Sequence, residues 1–491
     1  MRNCHGAFSI HRETFHLIHC AALIGTIIAV FYITGGHKRY NSTEFKTVQT
    51  QNSWEKYGMI PTVFLYITRI LALLCLPVAL FNFLGLILFN AFPDQPKLKA
   101  SSTRSPFLCF RVVTKGDFPE LVRNNIQRNV ETCQEAGLEN FLLEVVTDKS
   151  IHLVTSKFVR EVVVPEDYVT KSGALYKARA LQYCLEKEVN VLSDEDWIVH
   201  LDEETLLTVG CLKGIVNFVC EGKYQFGQGV ITYANGPVVN LILTLFDSMR
   251  VADDMGKVQF QLKVMRMPIM GWKGSYVISN AGAEKSVSFD HGPRSSVAED
   301  AYFGLVAASK GYLFGFIEGD MWEKSPFTMK DFLKQRKRWI QGLLLVVHSS
   351  EIPLRFRILL GCCVYATATA PLSTLNIILQ PCFPIPSSQF ADLCGCFIGG
   401  VLIYMSIYVA QSITELFIAD LYRRSDGSHQ IVCRIYSILL GCPYDLVMSG
   451  LTLASWDRYL ALAHHHFYEN YATPRNISLI LLIVFIVITA M

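Results

Sequence analysis

The apolar residues of this 491-residue chain lie in long blocks at its two ends, and no single water-soluble domain can absorb that distribution. Leu17 to Thr34 is one such run, and about 20 mainly apolar residues suffice to cross a lipid core. As a cleaved signal peptide it would need a small-residue cleavage site, for which Gly35-Gly36-His37-Lys38 is poorly suited. A second run covers about Ile60 to Phe92 and ends at Pro93-Asp94-Gln95-Pro96. It is over-long for an upright span, so it is expected to tilt or to include an interfacial part. Apolar runs return at roughly Ile358 to Leu379, Leu393 to Phe417, Ile431 to Leu453 and Ile477 to the end. Charged residues make up only 18% of the chain and mean hydropathy is +0.31, whereas soluble chains are about a quarter charged. The expected division is residues 1–96 with two transmembrane helices, 97–325 as a catalytic domain, 326–356 as amphipathic interface helices, and 357–491 with about four further spans.

Basic residues suggest an orientation. Lys97, Lys99 and Arg104 follow the second run, and Arg336, Lys337, Arg338, Arg355 and Arg357 precede the third. Arg423 and Arg424 lie between the fourth and fifth, while Pro381 to Asp392 has no Lys or Arg. The positive-inside rule then places the middle domain in the cytosol. Lys38 and Arg39 pull the other way, and Asn41-Ser42-Thr43 is a glycosylation pattern that would be lumenal. A net charge of +2 gives no reason to expect a nucleic-acid partner. The 15 cysteines show no paired zinc-ligand spacing and suit free thiols in a reducing compartment or apolar helix packing.

The middle segment alternates short apolar strands with helical patterns. Phe107 to Val113, Phe141 to Thr147, Val159 to Val164 and Trp197 to Leu201 read as strands, with helices over Phe118 to Ala136 and Ala174 to Glu186. That alternation predicts an α/β domain on a mostly parallel sheet. Ligands in such sheets bind at the carboxyl ends of the strands, where Asp148 and Asp202 fall.

Four motifs carry chemistry. His200-Leu201-Asp202-Glu203-Glu204-Thr205 sets three acids in a row after an apolar strand. A hard divalent cation bridging to a diphosphate would relieve their repulsion; a solvated acidic turn before a helix would also tolerate it. In Val145-Val146-Thr147-Asp148 the acid could accept hydrogen bonds from a nucleoside, or simply end a strand. The Glu299-Asp300 pair could supply a general base to an acceptor hydroxyl, or cap a helix. Gln335-Arg336-Lys337-Arg338-Trp339-Ile340-Gln341-Gly342 could clamp a leaving diphosphate and stack on a sugar, or lie on anionic lipid.

In this order, followed at once by apolar spans, the four motifs resemble the inverting family 2 glycosyltransferases, which include cellulose, chitin and hyaluronan synthases. Lys177-Ala178-Arg179-Ala180-Leu181 is similar to that family's Lys-Ala-x-x-Leu segment near the donor. Over about residues 60 to 450 the resemblance is closer, to the egghead-type β-1,4-mannosyltransferases of invertebrates. It is carried by Arg111 to Pro119, Gly173 to Lys177, Asp196 to Thr205, Trp272-Lys273-Gly274-Ser275-Tyr276-Val277, Glu323 to Thr328 and the Gln335 to Gly342 run.

The resemblance implies a GT-A fold, Rossmann-like with a mostly parallel sheet and flanking transmembrane helices. It implies an inverting transfer of mannose from GDP-mannose to glucosylceramide in glycosphingolipid synthesis. The protein would then be a multi-pass membrane protein of the endoplasmic reticulum or Golgi. By matching position, Asp148 would contact the nucleoside, and Asp202 and Glu204 the diphosphate and a Mg2+ or Mn2+ ion. Thr114, Lys177, Gln335 and Arg338 would also serve the donor, and Trp339, Glu299, Gly274 and Ser275 the acceptor, with Asp300 as base. The metal motif ends in Glu204 where the wider family has Asp, and residues after about Leu453, including His464-His465-His466, match poorly. A processive polysaccharide synthase is the alternative enzyme. A transporter or receptor with a soluble insert is the alternative of another class; it needs charged residues lining a path, and the spans are nearly free of charge.

Overall fold

The computed structural model describes residues 12–33, 52–99, 105–233, 240–369, 379 and 382–424. They fall into two units. One takes the residues up to Leu17 together with Phe81–Val364, and the other takes Ile18–Leu80 with the residues from Tyr365 onward.

The N-terminal helix α1 (Arg12–Ile33) contains the first apolar run. The helix of the second run is interrupted once. It forms α2 (Met59–Leu73) and α3 (Leu76–Leu88), separated by a tight turn in which the Leu74 and Cys75 amides reach back three residues, to Leu71 and Ala72, at 3.2 and 3.4 Å. Tightening the last turn to i→i−3 bonds is how a helix ends without a cap. The sheet unit then runs β1 (Leu108–Thr114), α4 (Pro119–Glu135), β2 (Phe141–Thr147), β3 (Val159–Val163), α5 (Tyr176–Tyr183), β4 (Trp197–Leu201), α6 (Val209–Glu221), β5 (Phe226–Thr232) and α7 (Leu241–Asp253). Two π-helical turns follow (Asp254–Val258 and Gln261–Met265), then β6 (Val277–Asn280), α8 (Ala281–Val287), α9 (Glu299–Ser309), β7 (Phe314–Trp322), α10 (Met329–Val347) and α11 (Leu354–Ala368). The long α12 (Gln389–Arg424) spans 36 residues and encloses the fourth apolar run. The runs at 431–453 and 477–491, the Asn41 pattern and His464-His465-His466 lie outside the described residues. Three described segments, Glu13–Ile33, Met59–Leu88 and Gln389–Ser406, are long and apolar enough to cross a membrane.

The strands form one seven-stranded sheet in the order β3-β2-β1-β4-β6-β5-β7. All neighbours are parallel except β6, which is antiparallel to both β4 and β5. Burial on both faces explains why β1, β2 and β4 read as mainly apolar runs rather than alternating ones. Leu108, Phe110, Val112, Leu143, Val145, Val199 and Leu201 meet α4 and α6 on one face, while Val146 and Val162 meet Ala180 of α5 and Cys184 at its end on the other. Local signals set the helix ends. Pro119 opens α4, where its missing N–H costs nothing, and the Thr208 hydroxyl caps α6, which stops at left-handed Gly222.

One row of residues breaks the apolar pattern. Arg160, Glu144, Arg111 and His200 stand opposite one another across β3, β2, β1 and β4. Arg111 Nε meets Glu144 at 2.7 Å, Arg111 Nη1 meets Glu284 of α8 at 3.3 Å, His200 Nε2 meets Glu284 at 2.6 Å, and Arg160 Nη1 meets Glu144 at 3.4 Å. Burial works against the charge on Arg111, but Glu144 and Glu284 hold its guanidinium firmly protonated. Burial likewise opposes ionisation of Glu284, and His200 and Arg111 outweigh it to lower that carboxyl.

Candidate active site

The site forms where β4 ends. Beyond Leu201 the chain turns back through Asp202-Glu203-Glu204, with the Thr205 amide bonding the Asp202 carbonyl at 3.0 Å. The Asp202 amide points to two hydroxyls, Thr205 Oγ1 at 3.2 Å and Ser275 Oγ at 3.3 Å. Lys177, in the first turn of α5, reaches across from the neighbouring crossover. Its Nζ lies 2.6 Å from Asp202 Oδ1 and 3.1 Å from the Gly274 carbonyl. Gly274 also abuts Asp300, because a Cβ there would sit 3.2 Å from Lys177 Nζ and 3.3 Å from Asp300 Oδ2. Glu299 and Asp300 occupy the first turn of α9, and Asp300 Oδ1 accepts from the Ala301 amide at 2.7 Å. A pocket here is lined by Lys177, Gly274, Glu299 and Asp300, with His200 and Trp272 behind them. Backbone strain flanks the cluster. Tyr176 and Tyr276, beside Lys177 and Ser275, hold left-handed φ values of 53° and 51°.

Charge sets the ionisation of each group. Burial opposes ionisation of Asp202, yet Lys177, with Arg338 and Arg250 farther off, lowers its carboxyl. Lys177 is held protonated against its burial by Asp202, Glu299 and Asp300. Burial, aided by Asp300, raises Glu299 to about 7, and burial also raises Asp300. Glu204 rises well above the ordinary carboxylate range through burial and the charges of Asp202 and Glu323.

Cation charge near Glu204 is therefore in deficit, since Lys177 serves Asp202. A hard divalent cation fits that imbalance and that all-oxygen donor set. No group of three or more His, Cys, Asp or Glu side chains among the described residues is arranged to hold a metal by itself. Phosphate oxygens and water would have to complete a coordination shell, as is usual for Mg2+.

The remaining sequence candidates are engaged in ways that spacing did not reveal. The Thr114 hydroxyl donates to the Glu203 carboxylate. Asp148, at the end of β2, pairs with Arg179 Nη2 at 3.0 Å while staying partly exposed. Ser275 is only 3% exposed and its hydroxyl faces inward to Asp202 and Thr205. Gln335 and Arg338 lie on α10, Arg338 exposed. Trp339 carries the Arg336 guanidinium at 4.1 Å and that of Arg250 at 4.7 Å over its ring. A sugar stacking on Trp339 would compete with these cations. Arg336 is paired with Asp247 of α7, so among these arginines Arg338 is the one turned to solvent. Arg250 had no motif to mark it, and Glu323 heads the Glu323 to Thr328 stretch that carries the family resemblance, without a role of its own.

Helix α10 is seated directly against the start of α9. A Cβ on Gly342 would lie 2.7 Å from Ala298 Cβ and 3.0 Å from the Ala298 amide. Gly342→Ala is therefore expected to cost about 1–3 kcal/mol by overpacking and to lower turnover by displacing Asp300. Thermal melting with parallel rate measurements checks this. Gly361→Ala, whose nearest neighbour is a Val347 methyl at 3.4 Å, is the control expected to change little.

Residues 197–413 match the family model described as glycosyl transferase family group 2. Over 414 residues the chain is 53% identical to the β-1,4-mannosyltransferase egh of Drosophila melanogaster, covering 84% of this chain and 90% of that one. This chain belongs to the egghead-type β-1,4-mannosyltransferases. The β-1,4-mannosyltransferase bre-3 of Caenorhabditis elegans is likewise 53% identical over 412 residues, 84% of this chain and 90% of that protein. A solved mannosyltransferase from Pyrobaculum calidifontis, PcManGT in complex with GDP-Man and Mn2+, is similar at a TM-score of 0.42 and 13% identity, covering 74% of this chain and 99% of that one. As a glycosyltransferase, this mannosyltransferase is not the transporter or receptor that its apolar spans alone also allowed.

Proposed function

We propose that this mannosyltransferase moves mannose from GDP-mannose to the glucose of glucosylceramide, with inversion, on a GT-A-type domain held at the cytosolic face of the endoplasmic reticulum or Golgi membrane. The observation that carries the chemistry is the meeting of Lys177, Asp202, Gly274 and Asp300, from separate segments of the chain, at the carboxyl end of β4. The relatives support mannose and the β-1,4 linkage, and the family resemblance supports the lipid acceptor.

Asp300 accepts the proton of the acceptor hydroxyl as that oxygen attacks the anomeric carbon. The bond from that carbon to the diphosphate oxygen breaks, and GDP leaves. A raised pKa brings Asp300 closer to the working pH of a general base. Glu299 shares that field and orients the acceptor. Lys177 and exposed Arg338 place positive charge where the leaving diphosphate gathers its negative charge. Asp148 and Thr114, at the ends of β2 and β1, bound the nucleoside side. Asp202 and Glu204 would hold a Mg2+ or Mn2+ ion, which would supply Lewis-acid stabilisation of the leaving group.

Purified enzyme given GDP-mannose and glucosylceramide is expected to yield one β-1,4-mannosylated lipid, identified by mass spectrometry and NMR. Polymer growth would instead favour a processive synthase, and no transfer to glucosylceramide would remove that acceptor. Excess chelator should abolish transfer and added Mn2+ or Mg2+ restore it; full activity in chelator would remove the ion. In sealed microsomes an external protease should cut the sheet unit, and protection until detergent is added would reverse the topology.

A further inference from the structure

Glu323 is a buried carboxylate, 8% exposed, that the chemistry above leaves unused. It directly follows β7, and its backbone is fixed on two sides. The Glu323 amide bonds the Thr232 carbonyl at 3.0 Å, and Trp322 exchanges backbone hydrogen bonds with Leu206 at 2.8 and 3.0 Å. Its Oε1 accepts from the Thr205 hydroxyl at 2.7 Å. Thr205 Oγ1 and Ser275 Oγ lie 2.9 Å apart, and these same two oxygens receive the Asp202 amide.

A hydroxyl has one proton to give. The Thr205 proton points to Glu323, which also takes a hydrogen bond from Ser275, and the lone pairs of Thr205 face back toward the Asp202 amide. Both hydroxyls thus turn toward Glu323 and offer lone pairs to the Asp202 amide. Thr205 and Ser275 are both almost fully buried, so water does not compete for the arrangement.

We propose that Glu323 is a positioning residue that, through Thr205 and Ser275, fixes the backbone of Asp202 and hence the direction of its carboxylate. The role rests on Asp202 serving the donor diphosphate, as set out above. It also gives Ser275 an internal task in place of an acceptor contact, and it ties the acidic turn after β4 to the strand end that leads into α10.

The test combines donor kinetics with amide hydrogen exchange of the ligand-free enzyme in detergent, for Glu323→Gln, Glu323→Ala, Thr205→Val and the double variant Glu323→Ala/Thr205→Val. Glu323→Ala and Thr205→Val should each lower kcat/KM for GDP-mannose by about tenfold or more, and the double variant should fall no further than the worse single. Exchange in peptides covering residues 200–206 should quicken in both. Glu323→Gln, whose amide oxygen can still accept, should keep that protection and remain within about threefold of wild type. Additive losses in the double variant would overturn the proposal. So would lost activity with unchanged exchange at 200–206, because Glu323 would then act on the substrate itself. If Glu323→Ala does not fold, Thr205→Ser against Thr205→Val asks the same question, since only serine restores the hydroxyl. If wild type binds neither GDP nor GDP-mannose, the donor assignment fails, while the exchange data still decide whether Glu323 holds the turn.

Discussion

Asp300→Asn should lower turnover by about 10²–10⁴-fold, the usual loss on removing a general base, while GDP-mannose still binds. Asparagine is nearly the same size and keeps an oxygen for the Ala301 amide now held at 2.7 Å, so the first turn of α9 should survive. It cannot take the acceptor's proton. The nearby donor contacts, Lys177 on Asp202 and the Gly274 carbonyl, do not involve Asp300 directly. Donor titration with single-turnover kinetics separates the steps. Glu299→Gln should be milder. Normal turnover in Asp300→Asn with a dead Glu299→Gln would move the base to Glu299, and loss of donor binding in both would place the pair in the donor site.

Arg111→Met is expected to be the most destabilising single change, by about 3–5 kcal/mol, because it strands buried charge rather than removing a neutral contact. Arg111 is 1% exposed and bonds two carboxylates, Glu144 and Glu284. Methionine fills much of the volume but leaves Glu144 with only Arg160, at 3.4 Å, and takes the arginine from Glu284, leaving it the His200 imidazole at 2.6 Å. Chemical denaturation of the detergent-solubilised enzyme measures the loss. Arg111→Met combined with Glu144→Gln should recover part of it, since fewer charges are then stranded. A melting curve unchanged by Arg111→Met would mean that these groups are not charged in the folded protein.

The elements of the sheet were legible where burial on both faces writes an apolar run interrupted by a single polar residue, as in Phe141–Thr147 and Trp197–Leu201, which the structure reproduces. The four-residue β6 was not, because Val277-Ile278-Ser279-Asn280 is too short to show a period and its place between β4 and β5 depends on long-range pairing. The break after Leu73 was marked only by Pro77, in the first turn of α3, within a run that otherwise reads as continuously apolar. Within the site, the acids announced themselves by clustering. The partners that tune them did not, because Lys177 meets Gly274 across 97 positions and Thr205 meets Glu323 across 118. Sequence names the ionisable groups; which of them face one another is decided by topology.

The polar row across β3, β2, β1 and β4 has a consequence for how the sheet assembles. Parallel strands made largely of Val, Leu and Ile offer many nearly equivalent alignments. Side chains alternate faces along a strand, so a slip of one residue by β1 would turn the Arg111 guanidinium to the opposite face, among the packed apolar side chains of α4 and α6. A slip of two residues would restore the face but part Arg111 from both Glu144 and His200, with which it is now level. Every misaligned sheet therefore carries unpaired buried charge, and only the native alignment discharges all four strands at once. The row works as a checksum: costly to bury, it makes the wrong sheets costlier still.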